Sequence, residues 1–160
     1  HMLRLGFADV FLDNAGGAYG AHSTATDALR AGLPVLTVGA PLWQMADAVG
    51  ASLVRELDAS AGPAGSFADV LVQPSVRGFQ DMGVGLCQRP GVAAALRRRV
   101  AKAALRAAAH GSGGLFDAAA YTEGLERLLR AMVEARDRGQ TAEGGAVPHV
   151  VVGRMGPFGA

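Results

Sequence analysis

Runs of hydrophobic and polar positions mark out strands and helices in turn along this chain. FADVFLD, from Phe7 to Asp13, is a short apolar run closed by an acid and reads as a buried strand. The loop Asn14 to Ala21 follows with three glycines, Gly16, Gly17 and Gly20, which permit tight turns and close approach of backbone to a ligand. Ser23 or Thr24 then caps a helix running to about Ala31, and Gly32 ends it. LPVLTVG, Leu33 to Gly39, is a second strand, apolar and β-branched. A strand, loop, helix and strand in this order imply parallel pairing.

After Pro41, Trp43 to Leu57 reads as a second helix, with Ala46, Val49, Leu53 and Leu57 as its apolar stripe. Asp58 to Ser66 reads as a flexible loop, and Val70 to Gln73 as a third strand. Ser75 is placed to cap a helix over Val76 to Gln88. A longer helix follows from about Val92 to Ala109. Its pattern buries Val92, Leu96, Val100 and Ala103 and turns Arg97, Arg98, Lys102 and Arg106 to solvent. The last helix, Asp117 to Arg136, is expected to bury Tyr121, Leu125, Leu128, Leu129 and Met132. The Gly-rich remainder reads as a mobile tail. The expected architecture is α/β, a Rossmann-like parallel sheet ending in two long helices. It assigns residues 1–136 to one lobe and 137–160 to the tail. Phe7 to Asp13 has almost nothing before it to pair with, so the chain reads as a piece of a larger protein.

Composition narrows the functional classes. The chain has 160 residues, 50% of them hydrophobic, which suits one folded domain although Ala and Gly inflate that share. A net charge of +1 argues against nucleic acid as a partner. No apolar run reaches the ~18 residues expected of a membrane span, and no secretory signal opens the chain. Cys87 is the single cysteine, so no internal disulfide can form, and a cytoplasmic or nuclear setting fits. Cys87 has no acid–base partner in sequence and reads as inert. His110 and His149 sit in Gly-rich segments that suggest no metal set. Arg97, Arg98, Arg99 and Lys102 read as a solvated helix face.

The chemistry concentrates in AHSTATDALRAGLPVLT, Ala21 to Thr37. A Gly-rich loop enters a helix through His22, Ser23 and Thr24. The first turn of a helix offers unpaired backbone N–H groups and the positive end of its dipole, which together bind phosphate. The two hydroxyls and the imidazole add donors. Asp27, one turn on, has the chemistry to accept hydrogen bonds from ribose hydroxyls. The same residues also satisfy a capping box, Thr24-x-x-Asp27, whose ordinary role is only to start a helix.

These residues fall in a wider pattern. Arg4, FADVFLD, the loop, His22-Ser23-Thr24-Ala25-Thr26-Asp27 and Arg30-Ala31-Gly32-Leu33-Pro34-Val35-Leu36-Thr37 stand in that order. GGLFDAAAYTEGLERLLRAM, Gly113 to Met132, follows downstream. Together they resemble the C-terminal catalytic lobe of the O-linked N-acetylglucosamine transferases, the SECRET AGENT and SPINDLY-like glycosyltransferases. That family's pattern runs Arg, L-A-D-V-x-L-D, a short loop, H-T-T-x-x-D and W-A-G-x-P-V-x-T, and closes on S-P-L-F-D-x-x-x-Y-x-x-x-L-E-x-x-Y. Here Ser23 replaces the usual Thr, Arg30 the usual aromatic, and Gly113-Gly114 the Ser-Pro pair, and the loop is about two residues longer.

The resemblance implies a GT-B glycosyltransferase that moves N-acetylglucosamine from UDP-GlcNAc to Ser or Thr hydroxyls of protein acceptors. His22, Ser23 and Thr24 would hold the UDP diphosphate and Asp27 the ribose. Arg4 matches a position near the uracil, and His1 falls where the family has a His beside the base. No metal or other cofactor is implied. The catalytic groups, the family's Lys at the diphosphate and the helical repeats are expected upstream, so the isolated lobe is expected to be inactive. SPINDLY-type relatives use a GDP-fucose donor and carry an all-Thr run followed by Glu; His22 heading the motif favours UDP.

Two other readings remain in view. A lobe without its partner could be a non-catalytic module that binds a nucleotide or a protein. DVFLDNAGGA, Asp9 to Ala18, also echoes a short-chain dehydrogenase strand. That family needs an upstream Gly-rich motif and a Tyr with Lys four residues on, whereas Tyr121 is followed by Leu125 and Tyr19 by Ser23.

Overall fold

The computed structural model describes residues 2–14, 20–39, 48–62, 66–109 and 114–138. It contains α1 (Met2–Leu5), β1 (Phe11–Leu12), α2 (Ser23–Arg30), β2 (Val35–Val38), α3 (Val49–Ala59), α4 (Ala68–Leu71), β3 (Val72–Gln73), α5 (Val76–Gln88), α6 (Pro90–Ala107) and α7 (Ala118–Asp137). The described strands form one sheet in the order β1-β2-β3, parallel throughout. Phe11 is in register with Val35, and Thr37 with Val72. The protein is therefore α/β with a small parallel sheet, compatible with a Rossmann-like fold.

Side-chain alternation along β2 sorts the helices. Val35 joins the main core with Ala25, Ala28 and Leu29 of α2 and with Val54 and Leu57 of α3. Leu36 points the other way, toward Gly83 of α5. Each right-handed crossover lays its helix on the same face, so α2 and α3 share one face and α5 takes the other. α6 packs against α2, α3 and α5. It contributes Leu96, Val100, Ala103, Ala104 and Ala107 to the core. Val92, expected inside, is 47% exposed, because α6 starts at Pro90 and turns its first residues outward.

Local chemistry sets the helix ends. Gly32 has φ +74°, a conformation that disfavours a side chain, and it ends α2. An added Cβ there would also lie 2.7 Å from Ala101 Cβ on α6. The Ser75 hydroxyl accepts the Gly78 N–H at 3.0 Å and caps α5 as expected.

Other expectations change as well. The first strand shrinks from Phe7–Asp13 to Phe11–Leu12, and Phe7 is 91% exposed. The amides of Gly6 and Phe7 turn back to Leu3 and Arg4 as the end of α1, and pairing starts only where Phe11 N–H meets the Pro34 carbonyl. The third strand loses Val70 and Leu71, whose amides both bond to the Phe67 carbonyl in α4. Within α3, Gly50, Ala51, Val54 and Leu57 are the buried positions, so the stripe runs through small residues beside Val49 and Leu53. The expected start of this helix at Trp43 lies outside the described residues. The expected flexible loop after α3 has tied ends. The Asp58 carboxylate accepts the Phe67 N–H at 2.9 Å and the Ser66 hydroxyl at 2.6 Å.

Two compact units divide the chain at Asp117 and Ala118. The described part of the second unit is α7 with Arg138. This helix buries none of its residues: Tyr121 is 72% exposed, and Leu125, Leu129 and Met132 are exposed with it. Its amphipathic stripe specifies an apolar face and says nothing of a partner. The i,i+4 pairs Arg130–Glu126 and Arg138–Glu134 support it locally, each worth a few tenths of a kcal/mol. Among the described residues, no helix is long and apolar enough to cross a membrane. The expected tail begins at Asp137, which is the last residue of α7; beyond Arg138 it lies outside the described residues.

Candidate functional site at the carboxyl edge of the sheet

In a parallel sheet every strand leaves at the same edge, and each following helix starts there. Three helix starts gather in this way: α2 after β1, α3 after β2 and α5 after β3. Their first turns are satisfied differently. Ser75 caps α5. The first turn of α3 faces the side chain of Asp13, since a methyl on Gly50 would lie 2.5 Å from Asp13 Oδ2. α2 has His22 at its cap position, with φ −105° and ψ −94° and no side-chain capping bond.

The residue that organises this edge is Asp13, which leaves β1 and is 7% exposed. Its Oδ1 accepts the backbone N–H of Ala21 at 2.6 Å and of Asn14 at 2.7 Å. Its Oδ2 accepts the hydroxyl of Thr37, itself 1% exposed, at 2.6 Å. A carboxylate out of water needs such donors, because unpaired burial of its charge is far costlier than a lost hydrogen bond. The positive end of the α3 dipole acts in the same sense. Asp13 thus joins the exit of β1, the end of the loop before α2, and β2. Reading the sequence alone, one sees only a strand ending in an acid; a Thr in the middle of the next strand is the one signal that could have paired it.

The expected nucleotide-site residues fall as follows. His22, Ser23 and Thr24 are exposed at the start of α2. The inward face of the same helix is formed by Ala25, Ala28 and Leu29. Asp27 is half-buried one turn further, and its carbonyl accepts the Ala31 N–H at 2.9 Å. Thr24 lies inside the helix and makes no capping bond, so the capping-box alternative is not formed. Thr26 instead bonds back to the His22 carbonyl through its N–H, at 3.0 Å, and its hydroxyl, at 3.2 Å. Four of the six expected residues are therefore together at one helix start, held to the exit of β1 through Ala21. Arg4 is exposed on α1, in the segment that enters β1 rather than the one that leaves it. His1 and residues 15–19 of the loop lie outside the described residues, as do His110 and His149.

Arg55 was not singled out by sequence. It is exposed on α3, and its guanidinium lies where a Cβ on Gly39 would be, 2.7 Å from that position, just past the end of β2. A cation therefore stands at the same edge as the α2 start. Among the described residues, no group of three or more His, Cys, Asp or Glu side chains is placed to hold a metal ion.

A hollow of 780 Å³ lies elsewhere, between β1 and the α5–α6 corner, lined by Leu12, Phe79, Val84, Cys87 and Pro90 among others. It is on the α5 face of the sheet, and none of His22, Ser23, Thr24 and Asp27 lines it. Cys87 is exposed at its wall. No protein-family model matches the chain, and comparison with curated proteins finds no significant match.

Proposed function

We propose that this chain is the nucleotide-binding lobe of a GT-B glycosyltransferase and that the start of α2 holds the diphosphate of a UDP-sugar. The observation that carries the reading is the exposed His22-Ser23-Thr24 segment at a helix start whose cap residue, His22, makes no side-chain capping bond, at the carboxyl edge of a parallel sheet. The free N–H groups of the first turn, the helix dipole and two hydroxyls suit a diphosphate oxygen cluster. Asp27 is the acceptor for ribose hydroxyls. Arg55 at the neighbouring strand end adds positive charge. The ordered match of two separated sequence motifs to the O-GlcNAc transferases supplies the donor class.

In the parent enzyme, transfer of N-acetylglucosamine to a Ser or Thr hydroxyl requires donor and acceptor in line and stabilisation of charge on the departing diphosphate. The α2 start serves the second need. The catalytic base, the sugar contacts and the acceptor site belong to an N-terminal lobe. Calorimetric titration with UDP and GDP tests the proposal. UDP is expected to bind more tightly, and His22→Ala to weaken it. Tighter GDP binding would move the donor to the fucose type, and binding of neither nucleotide would remove the reading.

A further inference from the structure

We infer that Asp13 is a positioning residue: its carboxylate sets where α2 begins, and Gly50 leaves the space in which that carboxylate sits. The consequence for nucleotide affinity rests on the diphosphate reading above; the positioning does not.

The inference comes from what one side chain joins. Ala21 is eight residues from Asp13 in sequence and two before Ser23, the first residue of α2. Oδ1 holds the Ala21 amide at 2.6 Å, so the chain is fixed to the sheet edge immediately before His22. Thr37 holds Oδ2, and so fixes the rotation of the carboxylate from the adjacent strand. Both side chains are buried, and each makes a bond that water cannot readily replace. The third wall is α3. Any side chain at Gly50 would meet Asp13 Oδ2 at 2.5 Å and Thr37 Oγ1 at 3.1 Å. Ala favours a helix more than Gly does. A glycine in the first turn of α3 is thus required by the carboxylate and not by the helix.

This separates positioning from general support of the fold. Thr37→Val removes the hydroxyl without changing side-chain volume much, and Gly50→Ala pushes on the carboxylate while strengthening α3. Thr37→Ser keeps the hydroxyl and is the conservative control. Native-state amide exchange by NMR reads the Ala21 N–H against Leu29 and Leu36 in the core. In Thr37→Val and Gly50→Ala, Ala21 is expected to exchange about tenfold faster. Leu29 and Leu36 are expected to stay unchanged, and Thr37→Ser to behave as the unaltered protein. UDP affinity should fall by about threefold to tenfold in the same two variants. Faster exchange at Ala21 in a protein that never binds UDP would uphold the positioning and remove the nucleotide reading. Unchanged exchange at Ala21, or a rise shared equally by Leu29 and Leu36, would overturn the inference. Asp13→Ala is the direct substitution, and its larger effect at Ala21 should exceed both.

Discussion

Arg97 shows how far a single charged residue can depart from its apparent role. It sits on α6 in a run that reads as solvated surface, yet its guanidinium donates to the carbonyls of Leu5, Gly6 and Ala8. These are the carbonyls where α1 ends and the chain turns toward β1, so one planar fork satisfies a turn about ninety residues away in sequence. Arg106 does the same for the Ala61 carbonyl, and Arg99 lies 5.8 Å from the Phe67 ring centre. Arg97→Met keeps the aliphatic stem and removes the donors. It should lower unfolding stability by about 1–3 kcal/mol in urea titrations. Arg98→Met, on the exposed neighbour, should stay within about 0.5 kcal/mol. Equal effects would show that the carbonyl contacts carry no stability. Gly32→Ala combines a positive φ with a clash against the α6 backbone, and should cost about 2 kcal/mol or more by the same measurement.

At the scale of elements, the two helix starts α5 and α2 make opposite predictions. The Ser75 hydroxyl accepts the Gly78 N–H as a cap, so Ser75→Ala should cost about 1 kcal/mol of stability. Thr24 makes no capping bond. Thr24→Ala should therefore change stability by less than about 0.5 kcal/mol while weakening UDP binding. A stability loss of about 1 kcal/mol with UDP affinity intact would restore the capping-box role of Thr24. The strands are shorter than their apolar runs because pairing ends where the neighbour has nothing to offer. Before Phe11 the chain closes on α1, and before Val72 the amides of Val70 and Leu71 belong to the α4 turn.

For the whole molecule, the proposed function gives this chain one half of a nucleotide-sugar cleft. Binding and turnover should therefore separate: weak UDP binding, and no release of UDP from UDP-GlcNAc when acceptor protein is supplied. A coupled assay for UDP release checks this, and measurable turnover by the 160-residue chain would show that the chemistry does not need another lobe. In a two-lobed form of the protein, turnover should appear and should fall when His22 or Asp27 is replaced by Ala.

The β-loop-α-β order, the parallel sheet, the Gly32 stop and the Ser75 cap were all legible in the sequence. Each depends on periodicity or on backbone groups within a few residues. The hydroxyl-bearing start of α2 was legible for the same reason. The bonds that hold that start in place were not. Asp13 meets Thr37 across 24 positions, Arg97 meets Ala8 across 89, and Gly50 of α3 faces the Asp13 carboxylate at the exit of β1, where a side chain would clash. An amphipathic pattern likewise specified the face of α7 but not whether anything covers it. Local sequence determines which conformation a segment prefers. Which polar groups are buried, and which donors satisfy them, is decided only when distant segments are brought together.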